Sequence, residues 1–236
     1  MIYKEQMIFN EPIHANFNEE LDSFDNIEVN ERIVEISFVF KELKLEQGII
    51  LDAGCCESKI VIELASLGYK VYGLDLGKYY FKHKNFTFVN EDITVNSFPN
   101  DLFDRIIAVS SLEHIGLGRY DKTQTNGDLI ALKELARVLK KMGKLIITLP
   151  FGKPIDTDWY RVYNVKRLMS MFKEADLIIE KMDIFFRENQ EWVPCSAKIG
   201  EAIDSHSNKV NAVACIVANK KNFRRSIQKI WDNIKK

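Results

Sequence analysis

The chain has 236 residues, 46% hydrophobic and 28% charged, with a formal net charge of −1. That length suits a single domain with a core of its own, and the composition excludes a low-complexity, collagen-like or disordered chain. Near-neutral charge gives no global attraction to phosphate backbones and disfavours a nucleic-acid substrate. No apolar run reaches the length of a membrane span and the first residues lack the apolar stretch of a signal peptide, so a cytoplasmic protein is expected. Cys55 and Cys56 are adjacent while Cys195 and Cys215 are isolated, which gives neither a disulfide framework nor a zinc-ligand spacing.

In chain order, residues 1–30 are polar and weakly periodic. Glu31 to Leu45 spaces Ile33, Val34, Ile36, Phe38, Val39 and Leu43 as an amphipathic helix does. Ile49-Ile50-Leu51 reads as a buried strand, Lys59 to Leu67 as a helix ended by Gly68, and Tyr69 to Leu74 and Phe86 to Asn90 as the next two strands. Phe103 to Val109 is a fourth strand. Leu129 to Met142 has helical spacing with Gly143 as its stop, before a fifth strand over Lys144 to Leu149. Val165 to Ala175 is a helix, and Leu177 to Phe186 and Val210 to Ala218 are two final strands. The link from Arg187 to Lys209 holds no crossover helix, so those strands are expected to pair antiparallel at the sheet edge.

The alternation predicts one α/β domain over 1–236: an N-terminal segment and helix (1–45), a Rossmann-like core (46–219) and a C-terminal amphipathic helix (220–236). That last helix aligns Phe223, Ile227, Ile230 and Ile234 on one face with lysines and arginines elsewhere. It either packs on the domain or touches an anionic membrane or a partner.

Asp52-Ala53-Gly54-Cys55-Cys56-Glu57-Ser58 turns from strand to helix through small residues, which lets backbone approach a nucleotide-type cofactor. A GxGxxG fingerprint is absent, which weakens a nicotinamide or flavin reading. Asp75, at the end of the second strand, is placed to accept hydrogen bonds from a ribose diol. Asp92, after the third, suits an adenine amino group with Leu76 and Ile93 as flat neighbours, and Asp52 suits a cationic amino-acid tail.

This constellation resembles class I methyltransferases, over about Ile49 to Ala218. The resemblance implies S-adenosylmethionine as cofactor and a seven-stranded, mostly parallel sheet with an antiparallel last strand and helices on both faces. It also implies a cofactor site built from Asp52, Gly54, Cys55, Cys56, Asp75, Leu76, Asp92, Ile93 and Ser110. Usual members carry glycines where Cys56 and Ser58 stand. Leu51 to Ser58, Leu67-Gly68-Tyr69, Glu113 to Gly118 and Pro150-Phe151-Gly152 are also similar to a bacterial subgroup associated with surface-polysaccharide or other glycan modification.

The fourth strand leads into Ser110-Ser111-Leu112-Glu113-His114, where acceptor and donor are expected to meet. His114 is either a general base, with Glu113 orienting it, or a structural contact that holds the loop. Some RNA-end methyltransferases bind a metal through an ExxEH pattern; Ser110 replaces its first glutamate, and no required metal is expected. Trp159-Tyr160-Arg161-Val162-Tyr163 offers Tyr160, Arg161 and Tyr163 for binding an acceptor, or for packing and capping the following helix. Glu191 and Trp192 are candidates to complete the pocket, His83 is read as structural, and His14 and His206 as rim residues. The expected activity is O-methylation of a small-molecule or glycan acceptor at a hydroxyl or phosphate-type oxygen of a carbohydrate, nucleotide-sugar or surface-polysaccharide precursor. The alternatives are an RNA or natural-product methyltransferase, or an inactive adenosylmethionine-binding partner.

Overall fold

The computed structural model describes residues 13–18 and 23–27 as backbone, and 30–44, 47–56, 58–189, 191–205 and 210–220 in full. An antiparallel hairpin of β1 (Ile13–Asn18) and β2 (Ser23–Ile27) lies where the polar N-terminal sequence gave no strand pattern. The expected C-terminal amphipathic helix lies outside the described residues.

Helix α1 (Arg32–Leu43) enters the core through Val34, Phe38, Val39 and Leu43. There follow β3 (Ile49–Ala53), α2 (Ile60–Ser66), β4 (Lys70–Asp75), β5 (Phe86–Asn90), β6 (Phe103–Val109), α3 (Gly127–Val138) and β7 (Leu139–Pro150). A short ribbon, β8 (Ile155–Asp156) with β9 (Arg161–Val162), precedes α4 (Val165–Glu174), β10 (Leu177–Glu188), β11 (Glu191–Cys195), α5 (Ala197–Gly200) and β12 (Ala212–Lys220).

Eight strands form one sheet in the order β11-β10-β12-β7-β6-β3-β4-β5. Strands β3 to β7 run parallel, and β12 lies antiparallel between β7 and β10. This is the expected Rossmann-like α/β sheet with one strand more than the seven expected. The extra strand, β11, hairpins antiparallel onto the outer side of β10, an edge position that tolerates Pro194 because no ladder N–H is needed there.

Period-two burial splits the strands between two hydrophobic layers. Leu51, Ile106, Ala108, Ile147 and Ile216 face α3 and α4, whereas Ile50, Ile107, Ile146 and Val217 face α1 and α2. The expected helix over Leu129 to Met142 is shorter. It ends at Val138, and Leu139 already pairs with Phe103 of β6. The register then jumps to Arg105 opposite Lys144, so Lys140 to Gly143 bulge out of the ladder. Gly143 thus serves the bulge rather than stopping a helix: a Cβ there would sit 2.6 Å from Leu139 Cδ1 and 3.1 Å from Asp104 O.

Candidate active site

The carboxyl ends of β3, β4, β5 and β6 open on one cleft of about 890 Å³, walled on its far side by α1. Such a crevice outside the strand ends is where open α/β sheets bind ligands.

Its cofactor end begins at Gly54, held at φ +83° with its N–H donating to Leu74 O at 2.8 Å. A Cβ at Gly54 would run into the Ser111 side chain, so only glycine fits this turn. Asp52 is 2% exposed, and its Oδ2 has no hydrogen-bond partner although it belongs to the cleft wall. Burial pushes its carboxyl up to about 7; Asp75 adds to the rise, while Ser58 and Arg32 oppose it. A buried carboxylate with an unmet oxygen wants a cationic or hydrogen-bonding ligand group.

Asp75 accepts from the Cys56 N–H through Oδ2 at 2.9 Å and from the Gly77 N–H through Oδ1 at 2.8 Å. Each oxygen keeps a second lone pair, and the fixed carboxylate lies in the cleft wall where a diol could bridge it. Asp92 caps the 3₁₀ turn Ile93–Val95, its Oδ1 accepting from both the N–H and the hydroxyl of Thr94 at 2.8 Å. Leu76 and Ile93 line the cleft beside it. This donor and acceptor set fits a nucleoside with an amino-acid tail, and no pyrophosphate cradle is needed.

The two cysteines separate. Cys56 lines the cleft, but Cys55 is fully buried in the α1/α2 layer, where the space behind Gly73 is filled by its sulfur. Burial raises its thiol far above the ordinary range. Of the loop residues expected at the cofactor, Cys55 turns its side chain away from the cleft and packs the floor beneath the loop.

At the acceptor end, Ser110 is held in the left-handed region at φ +44°. Its N–H donates to Thr148 O and Oγ1 at 3.2 and 3.1 Å, and its hydroxyl donates to Glu35 Oε1 at 2.7 Å. The other oxygen of Glu35 accepts from Arg32 Nη1 at 2.6 Å. Ser110 is therefore tied to α1, although it lines the cleft.

Glu113 is 1% exposed with Oε2 unpartnered. Burial pushes its carboxyl up to about 8, with Glu35 and Glu31 adding and Arg32 opposing. His114 Nδ1 lies 2.7 Å from Trp159 O. A carbonyl only accepts, so Nδ1 carries a proton, and in the neutral ring the lone pair falls on Nε2, which stands 3.8 Å from Glu113 Oε1. Tyr120, Trp159 and Tyr160 complete this end, and the Arg119 guanidinium sits 4.6 Å over the Trp159 ring.

The expected acceptor residues divide. Tyr160 lines the cleft and donates its hydroxyl to Ser205 O. Arg161 is buried away from it, donating to Glu113 O and Ile115 O and lying 3.7 Å from Asp128. Tyr163 is wholly buried with its hydroxyl on Asp128 Oδ2 at 2.8 Å. Neither lines the cleft: Arg161 braces the Glu113-His114 turn and the start of α3, and Tyr163 the start of α3, which corrects their assignment to the acceptor. Trp192 is buried in the α1/α2 layer and Glu191 is exposed on β11, so neither completes the pocket. His83 accepts through Nδ1 from the Asn85 N–H in a turn. His14 falls in β1, described as backbone, and His206 lies outside the described residues.

Sequence reading missed Glu31, Arg32 and Ile36, which line the acceptor end from α1, and Glu35 behind them. One signal was available: Glu35 interrupts the apolar run Ile33-Val34-Glu35-Ile36, where a solvent-facing charge would not be expected. Among the described residues no group of three or more His, Cys, Asp or Glu side chains is arranged to hold a metal ion.

Residues 51–147 match the family model described as a methyltransferase domain. No curated protein matches the chain. Among solved structures the chain is similar to the 1,6-didemethyltoxoflavin-N1-methyltransferase of Burkholderia thailandensis, solved with that substrate and S-adenosylhomocysteine. The identity is 14%, with 75% of this chain and 72% of that one covered and a TM-score of 0.55. A S-adenosylmethionine-dependent methyltransferase of Methanosarcina mazei is 18% identical, covering 78% and 98% of the two chains, with a TM-score of 0.55. The [4+2]-cyclase SpnF shares the fold at 13% identity, 80% coverage of each chain and a TM-score of 0.57. At these identities the structural likeness speaks for the fold, and the family match and the cleft speak for the chemistry. The stretch from the end of β3 into β7 is a methyltransferase domain, and the enzyme it builds uses S-adenosylmethionine as its methyl donor.

Proposed function

We propose that the enzyme methylates a hydroxyl oxygen of a carbohydrate-type acceptor, such as a sugar nucleotide or surface-polysaccharide precursor, in the cytoplasm. The observation that carries this reading is His114: its Nδ1 is committed to the Trp159 carbonyl, and Nε2 is thereby the basic atom, in a side chain of the cleft wall.

Bound S-adenosylmethionine supplies a methyl group already activated as a sulfonium. The chain's own task is to align the acceptor, exclude water and take one proton. Asp52 would hold the cofactor's cationic tail and Asp75 its ribose, in the same cleft that Ser110, Ser111, Glu113 and His114 line. The flat faces of Trp159 and Tyr120 stack an apolar sugar face. Glu113, protonated at neutral pH, offers the acceptor hydroxyl an orienting hydrogen bond. His114 Nε2 removes the hydroxyl proton as the oxygen attacks, and the resulting imidazolium lies beside Glu113.

Transfer of labelled methyl from S-adenosylmethionine to a panel of sugar nucleotides, glycans, RNA and planar heterocycles tests the assignment. Label on a sugar hydroxyl is expected. Label on RNA, or on a heterocycle nitrogen as the Burkholderia enzyme's name describes, would replace it. His114→Ala should lower turnover by about 100-fold or more, the usual worth of a general base, with adenosylhomocysteine affinity unchanged. Retained turnover would reduce His114 to a loop contact.

A further inference from the structure

The segment that leaves β4 and returns as β5 carries two large exposed rings: Tyr80 is 80% exposed and Phe81 67%. Lys78, Lys82 and Lys84 flank them, all exposed, and no acidic residue occurs from Leu76 through Asn90. The exposure is built in. At the base of the loop Asn90 donates to Asp75 O and Gly77 O at 2.9 and 2.8 Å, and Asn85 donates to Ala65 O at 3.0 Å. Between them Tyr79 points inward, its hydroxyl donating to Ser58 O at 2.9 Å and its ring packing 5.1 Å from Phe86. With both ends tied and the middle anchored, Tyr80 is held outward, and Phe81, edge-on to Tyr79 at 5.9 Å, keeps most of its ring exposed.

Neighbouring exposed aromatics on a pinned loop mark an interaction surface. A second copy of the chain is a poor occupant, because a two-fold contact centred here would set three lysines against three lysines. A polynucleotide is favoured less than a planar surface, since the loop protrudes at the edge of the sheet and strand binding needs a basic groove in a chain whose net charge is −1. Rings that enter the headgroup region with lysines around them are the features of contact with an anionic bilayer. No helix among the described residues is long and apolar enough to cross a membrane, so contact of this kind would be peripheral.

We propose that the Lys78–Lys84 loop docks the enzyme on anionic lipid, with Tyr80 and Phe81 inserting between headgroups and Lys78, Lys82 and Lys84 pairing with their phosphates. Leu76 and Gly77, at the root of the loop, line the active-site cleft, so docking brings the cofactor end of the cleft to the bilayer.

The test is sedimentation of the full chain with vesicles of phosphatidylcholine, alone or mixed with phosphatidylglycerol. Binding to the anionic vesicles should be at least about tenfold tighter and should weaken with salt. Tyr80→Ser combined with Phe81→Ser, and separately Lys82→Glu, should each reduce it about tenfold. Calorimetry of adenosylhomocysteine on the same variants should be unchanged, which separates loss of docking from loss of fold or of the cofactor site. Equal binding to both vesicles, or anionic binding that survives the double substitution, overturns the proposal. So does tight binding of poly-uridylate that the same variants abolish, which would make the loop a single-strand contact.

Discussion

Asp52 and Glu113 are buried acids whose ionised forms the fold disfavours, and both have a testable pH signature. Burial raises them from ordinary values of 3.8 and 4.5 to about 7 and about 8. Between those limits the folded chain binds more protons than the unfolded one. Their contribution is thus fully present below about pH 4 and is lost as pH rises through 7 to 8. Thermal melts of the ligand-free protein should show this loss, on the order of a few kcal/mol for the pair, and Asp52→Asn with Glu113→Gln should flatten it. A cationic amino-acid tail beside Asp52 reverses the local preference toward carboxylate. Adenosylhomocysteine binding at pH 6 should therefore release a proton, read by calorimetry in buffers of different ionisation heat, and Asp52→Asn should abolish the release.

Helix α1 closes the acceptor end, and the Glu35 carboxylate ties it to the Ser110 turn. Glu35→Ala removes the acceptor for the Ser110 hydroxyl and for Arg32 Nη1, leaving Ser110 at φ +44° without that partner. Urea melts should show about 2 kcal/mol of destabilisation, and Glu35→Gln, which keeps one acceptor oxygen, should recover part of it. The same helix marks the limit of what the sequence made legible. Elements with strong periodicity were readable: β3 to β7, β10 and β12 lie where apolar runs place them, and Asp52, Asp75 and Asp92 stand at the strand ends because the βα rhythm puts them there. Partners distant in sequence were not readable, since no local pattern says that Glu35 meets Ser110 or that Arg161 turns away from the cleft to brace Glu113 and Ile115. The five-residue β11 was hidden by Pro194, and Gly143 looked like a helix stop because a bulge glycine and a capping glycine carry the same one-letter signal.

On the scale of the molecule, the cofactor end of the cleft gathers groups from the ends of β3 and β4 and from the turn after β5, while α1 contributes to the acceptor end. A ligand that touches Asp52, Asp75 and Asp92 together binds only when β3, β4 and β5 are in register, so its binding energy adds to the stability of the whole sheet rather than of one loop. At a concentration about 100 times its dissociation constant, adenosylhomocysteine should stabilise the fold by about 2.7 kcal/mol. For a chain of 236 residues that corresponds to a rise of roughly 5–10 °C in Tm. Asp75→Ala should remove most of the rise at the same concentration, because the ribose contact and the two backbone N–H bonds from Cys56 and Gly77 depend on one carboxylate. Scanning calorimetry distinguishes the alternatives: a single cooperative peak that moves upward means that the cofactor clamps the sheet as a unit, whereas a shoulder left at the ligand-free temperature would mean that the acceptor half melts independently of it.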